Sequence, residues 1–116
     1  MDKFVAVKIL KYLNKTIGEI YMVGGAVRDI MLKRDISDLD FSTAMRPDEM
    51  IIKCKENNIK YNDENKNFGK IILLIDGVKC EVTTFRTESY NSSRYPQVIF
   101  IDDINKDLER RDFTIN

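Results

Sequence analysis

The chain has 116 residues, 43% of them apolar, with 19 basic and 19 acidic side chains and no histidine. That size builds one domain around one modest core. The zero net charge excludes the broad basic footprint of a stand-alone nucleic-acid binder, and the missing histidine removes the usual general base and zinc ligand, so any chemistry falls to carboxylates, arginines and a hard cation.

The longest unbroken apolar run, residues 71–75, is far too short to cross a bilayer. No charged leader followed by an apolar stretch opens the chain, so export is not expected. Cys54 and Cys80 lack any close spacing and read as reduced core residues of a cytoplasmic protein.

In chain order, residues 2–14 carry apolar side chains interleaved with lysines, which predicts a helix with a broad buried face. Gly18 breaks it, and residues 19–23 form a short β-branched and aromatic strand. Gly24-Gly25 is a turn into a helix of about two turns over residues 26–33. Residues 36–42 alternate polar and apolar as a strand with one wet face. Pro47 followed by Asp48 and Glu49 opens a helix with acids in its first turn, ending near Asn57-Asn58. Residues 59–62 form a short strand and 63–67 a polar loop. Asp76-Gly77 joins strands 70–75 and 78–85 as a hairpin. Residues 86–97 lack an apolar period and read as a loop. Residues 98–101 make a last strand and 105–111 a charged helical segment. This order predicts an α+β (mixed α/β) domain.

Four places along this order carry chemistry. Gly24-Gly25 lets a ligand approach main-chain N–H groups. The helix that follows offers unpaired donors and a partial positive charge suited to phosphate, with Arg28 in its first turn. Taken alone, the pair fits a strand-to-helix turn that needs glycine, with Arg28 solvated, better than it fits a ligand site. Asp38 and Asp40 lie two apart in a strand, roughly 7 Å along one face, and repel unless a cation joins them. Magnesium suits such oxygen ligands together with substrate phosphates, although a solvated strand edge would also carry two acids. Gly25 and Asp38 are 13 residues apart, a separation that fits adjacent strands opening on one cleft. That layout suits two-metal phosphoryl transfer, with ions about 3.5–4 Å apart. Glu81, on the hairpin with Val82 facing the other way, offers a third carboxylate as a metal ligand or proton acceptor, and by itself fits an exposed strand glutamate equally well. Arg110-Arg111-Asp112 ends the series: arginine matches phosphate bidentately, and aspartate can accept from ribose hydroxyls, although taken alone the cluster fits an ordinary charged helix end better.

These pieces, VGGAVRD (23–29), SDLDFSTA (37–44), EVTTFR (81–86), the Y…RYP loop (90–96) and DLERRDFTIN (107–116), run in an order and spacing that resemble the head domain of the tRNA nucleotidyltransferase and bacterial poly(A) polymerase family. That family is the class II branch of the polymerase-β-like nucleotidyltransferases. The resemblance covers the chain from Tyr21 onward. It implies a catalytic palm on a mixed, mostly antiparallel sheet flanked by helices. Asp38 and Asp40 resemble the two magnesium carboxylates and Glu81 the third acid. Gly24, Gly25 and Arg28 resemble the triphosphate contacts, Arg111 and Asp112 the pair that meets the nucleotide's phosphate and ribose, and residues 86–97 a mobile loop.

The implied reaction is attack of an RNA 3′-hydroxyl, that of tRNA, on the α-phosphate of CTP or ATP, with two magnesium ions. Residues 1–116 are then expected to be the head of a longer protein whose neck selects the nucleotide and whose body and tail hold the RNA, with the isolated domain weakly active or inactive. Poly(A) addition shares the same motifs and stays open beside CCA addition. Two further readings also stay open. Small-molecule nucleotidyltransferases usually carry Gly-Ser at the turn and lack RRDFTIN, and a non-catalytic nucleotide-binding module would keep the fold without needing the acids.

Overall fold

Alternation along a few short strands, one side chain inward and the next outward, organises the domain. A computed structural model of the chain describes residues 3–25, 27, 39–89, 97–100 and 114–115. Its elements are α1 (Lys3–Thr16), β1 (Ile20–Val23), β2 (Leu39–Thr43), α2 (Pro47–Glu56), β3 (Lys60–Asn62), β4 (Lys70–Ile75), β5 (Val78–Thr84), β6 (Arg86–Ser89), β7 (Gln97–Phe100) and β8 (Thr114–Ile115). Six strands form one sheet in the order β3-β4-β5-β2-β1-β8, and β6 pairs with β7 as a separate ribbon. Within the large sheet β2 and β5 run parallel and every other neighbouring pair is antiparallel. The domain is therefore α+β with a mixed, mostly antiparallel sheet.

One face of the sheet is covered. Ile20 and Met22 of β1, Leu39 and Phe41 of β2, Ile71 and Leu73 of β4, and Cys80 and Val82 of β5 form a single core with Ala6, Ile9, Leu10 and Leu13 of α1 and Met50 and Cys54 of α2. The buried set on α1 repeats at helical spacing. The expected broad apolar face is narrower than predicted: Phe4, Val5 and Val7 are exposed. At about 100° per residue they fall roughly 90° or more from the stripe centred on Ala6, Ile9, Leu10 and Leu13.

Short-range chemistry holds the strands in register. Asn14 clamps the helix-to-strand turn, its Oδ1 accepting from Ile20 N at 3.0 Å and its Nδ2 donating to Leu10 O at 2.9 Å and Ile20 O at 3.1 Å. The predicted Asp76-Gly77 hairpin is present, with φ of 50° and 77° at its two central residues, the positive values a tight two-residue turn requires. It sets Ile75 opposite Val78 and Ile72 opposite Glu81. At the far end of the covered face, Thr43 Oγ1 donates to Glu19 O at 2.8 Å and Thr84 Oγ1 to Met45 O at 2.5 Å, which satisfies hydroxyls that are otherwise buried.

The stretch 86–97, expected as a loop, departs from that reading. Arg86–Ser89 is a strand, paired antiparallel with Gln97–Phe100. A polar segment has no apolar period to read, yet its backbone donors and acceptors are met by a partner strand whose own sequence is apolar. β8, which extends the sheet beyond β1, was likewise absent from the sequence reading. The helix expected over 26–33, apart from the helical backbone at Gly25 and Val27, lies outside the described residues. So do positions 36–38 of the second strand, 90–96 and the helical segment 105–111.

Candidate active site

The opposite face carries the polar residues that alternate with the core, with Asp40, Glu81 and Lys70 partly exposed and Val23, Ser42 and Thr83 buried. On β2 Leu39 and Phe41 are buried, which turns Asp40 to the open side. On β5 Cys80 and Val82 are buried, which turns Glu81 to that same side. Parallel pairing sets Asp40 directly beside Glu81, one inter-strand spacing of about 4.8 Å apart. Antiparallel pairing sets Asp40 beside Val23, so the strand that delivers the glycine turn is its other neighbour.

Gly24 follows immediately, with φ of 76°. A Cβ built there would stand 3.2 Å from Asp40 Oδ2. The missing side chain thus keeps the space against the carboxylate open, so that the backbone can lie close to Asp40. Gly25 begins a helical stretch directly after it.

Leu39, Asp40, Ile72, Lys79 and Glu81 line an open pocket of about 360 Å³. Lys70, two residues before Ile72 on the same face of β4, places its Nζ 2.9 Å from Glu81 Oε1, with both side chains half-buried. At the edge of this face Tyr21 donates to the Glu19 carboxylate, and that hydrogen bond, with desolvation and the nearby charge, raises its phenol pKa. Tyr21 also stacks obliquely on Phe85, ring centres 6.0 Å apart. A larger cavity, about 620 Å³, lies between α1 and the hairpin turn, but among its lining Lys8, Lys11, Lys15 and Asp76 there is one carboxylate and no pair. Volume alone would therefore point to a different place.

Of the residues singled out in the sequence, Gly24, Gly25, Asp40 and Glu81 are described, and Gly24, Asp40 and Glu81 lie together on one side of the sheet. Asp38, Arg28, Arg111 and Asp112 lie outside the described residues. Among the described residues no three His, Cys, Asp or Glu side chains gather closely enough to hold a metal. The donor set that is present consists of hard carboxylate oxygens beside a glycine-lined approach, which fits magnesium and phosphate rather than a soft metal. Lys70 and Lys79 were missed by motif reading. The hairpin could have indicated Lys70, because a two-residue turn at 76–77 fixes Ile72 opposite Glu81 and leaves Lys70 on the diagonal.

Comparison with known proteins bears on these positions. Residues 20–116 match the family model described as Poly A polymerase head domain. The CCA-adding enzyme of Bacillus pumilus (strain SAFR-032) is 45% identical over 113 residues, which are 96% of this chain and 27% of that protein. The CCA-adding enzyme of Lactobacillus delbrueckii subsp. bulgaricus (strain ATCC 11842) is 42% identical over 113 residues, 96% of this chain and 28% of that one. The chain thus spans a little over a quarter of the length of the curated relatives it matches. Among solved structures, Bacillus stearothermophilus CCA-adding enzyme in complex with CTP superposes with a TM-score of 0.70 at 35% identity, covering 93% of this chain and 25% of that one. A tRNA nucleotidyltransferase complexed with a primer tRNA and an incoming ATP analog superposes with a TM-score of 0.58 at 27% identity, covering 90% and 28%. Among the described residues no helix is long and apolar enough to cross a membrane.

Proposed function

This chain belongs to the Poly A polymerase head-domain family, and from that premise we propose that it is the catalytic head of an RNA nucleotidyltransferase that adds CMP and AMP to the 3′ end of tRNA. In the reaction a bond forms between the RNA 3′ oxygen and the α-phosphorus of CTP or ATP. The bond from that phosphorus to its bridging oxygen breaks, and pyrophosphate leaves with the electron pair.

The observation that carries the reading is the close approach of Gly24 to Asp40, with Glu81 in register on the next strand. The backbone at Gly24 and Gly25 receives the triphosphate, with Arg28 adding a bidentate fork to its oxygens. Arg111 and Asp112 meet the nucleotide's phosphate and ribose. Asp38 and Asp40 would hold two magnesium ions, which when bound stabilise charge on the α-phosphate and leaving group and activate the attacking hydroxyl. Glu81 completes the acidic set or takes the hydroxyl proton.

CCA addition is favoured over poly(A) addition by the names of the relatives above. Residues 1–116 supply the chemistry of such a protein, and the remaining length its relatives possess supplies nucleotide choice and the RNA grip. The two buried thiols fit a reducing cytoplasm.

The reading is tested by incorporation of radiolabelled CTP and ATP into tRNA lacking its CCA end, by this chain and by a longer polypeptide that contains it. The longer polypeptide is expected to add nucleotides and to lose that ability with Asp40→Asn. The chain alone is expected to bind nucleotide weakly with magnesium and to extend RNA poorly. Undiminished incorporation by the Asp40→Asn protein would overturn the assignment.

A further inference from the structure

Glu81 does not stand beside Asp40 as an unaccompanied second negative charge. Lys70 and Glu81 lie on adjacent antiparallel strands, offset diagonally: Lys70 faces Thr83 across the ladder, and Ile72 faces Glu81. Because Ile71 and Val82 point into the core, Lys70 and Glu81 share the open face, within the reach of a long side chain. The ammonium closes that gap to 2.9 Å, with each side chain 36% exposed. The base of Lys70 is anchored as well. Its N donates to Asn65 O at 3.2 Å, and the preceding carbonyl, Gly69 O, accepts from Thr84 N at 2.8 Å. Lys79, also around the pocket, is on the exposed side of β5.

We propose that Lys70 is a positioning residue, a tethered counter-cation that neutralises Glu81 and must be exchanged off it, or share it, when a divalent ion enters between Glu81 and Asp40. The inference rests on the reading of Asp40 and Glu81 as the ion-binding acids. Two in-register carboxylates on neighbouring strands repel. An ammonium on the outer one removes part of that repulsion while no ion is bound and holds the carboxylate in a single orientation. The same contact opposes capture of a free divalent ion, because the incoming cation competes with a partner already in place. A site so built loads poorly with metal alone and better when a nucleotide's phosphates bring further negative charge. Lys70 would then restrain ion binding rather than assist it, the reverse of what a purely structural lysine does.

The test measures Mn2+ binding from the electron-paramagnetic signal of the free ion, with thermal melts as a folding control. Lys70→Met keeps the apolar stem and removes the charge. It is expected to bind Mn2+ about two- to fivefold more tightly, the factor a half-exposed ion pair withholds. Lys70→Arg restores the wild-type affinity. Adding Glu81→Gln is expected to erase the difference in affinity between the protein with Lys70 and the Lys70→Met variant. In the unsubstituted protein, Mg2+ titration is expected to move the Glu81 carboxyl carbon and the Lys70 Nζ resonances together. Unchanged or weaker Mn2+ binding by Lys70→Met, or a Lys70 resonance indifferent to Mg2+, overturns the proposal. Asp40→Asn separates the two levels. If it leaves Mn2+ binding intact, the ion site itself is misassigned and the Lys70 proposal falls with it. If it abolishes binding while Lys70→Met has no effect, only the role of Lys70 is lost.

Discussion

The two faces presented by β1, β2, β4 and β5 at the centre of the sheet differ in what they carry. On one, Phe41, Leu73, Val82 and Met22 are excluded from water against α1 and α2. On the other, one residue along each strand, Asp40 and Glu81 stand in register and Lys70 pairs with Glu81. Residue parity therefore separates stability from chemistry in this domain. A side chain on the core face is held by packing, which tolerates no charge, whereas Asp40, Glu81 and Lys70 on the other face stay partly exposed and keep their charge beside the buried Val23, Ser42 and Thr83.

The strongest way to break that separation is to find a covered-face change that spares folding. Phe41→Ala removes a fully buried ring from the core face of β2 and is expected to cost about 3–5 kcal/mol, read as a large fall in the urea midpoint. The complementary change, Asp40→Asn, is expected to leave that midpoint unchanged or slightly raised. It should lower nucleotide incorporation by a longer polypeptide containing the chain about 10²–10³-fold. A matched loss of stability in Asp40→Asn would mean that the faces are not separable.

Gly24→Ala sits at the junction and should affect both properties. Its φ of 76° strains any other residue by about 1–3 kcal/mol. The new methyl would press on Asp40 Oδ2, and misplacement of a reacting group by such a contact costs up to about 100-fold in rate. A purely local turn effect would lower the melting temperature and leave incorporation per folded molecule intact.

Alkaline pH probes the covered face without mutation. Burial pushes the Cys54 thiol from an ordinary 9.0 up to about 11 and Cys80 up to about 12. A raised folded-state pKa means that the folded form holds its proton more tightly than the unfolded one. The stability this contributes is fully present below about pH 9 and is lost as pH rises through 11 to 12. Urea midpoints measured from pH 8 upward should fall across that window, and the fall should shrink in a Cys54→Ala, Cys80→Ala protein relative to its own value at pH 8. The smallest effect belongs to the surface: Lys53 and Glu56 pair at 3.6 Å with both side chains exposed, so Lys53→Ala should change stability by less than about 0.5 kcal/mol.

Most of the architecture was readable where local chemistry is strong. Asp76-Gly77 announced a hairpin and thereby its register, Pro47 with two acids announced α2, and the alternation around Leu39 and Phe41 announced which way Asp40 faces. The reading failed where partners far along the chain decide. Arg86–Ser89 has no period of its own and becomes a strand only through Gln97–Phe100. Phe4, Val5 and Val7 counted as core by composition but point away from the stripe the sheet covers.

By itself, then, the sequence determined most of the described elements, though not β6 or β8, together with the family motifs and the side of its strand on which each of Asp40 and Glu81 lies, because spacing of two residues or a glycine pair acts within a few bonds. Only the tertiary structure decided that β2 and β5 are parallel neighbours, that Gly24 closes on Asp40, and that Lys70 meets Glu81. Those facts depend on which strands share a ladder, and pairing across dozens of residues is chosen by burial of the whole core rather than by any local signal.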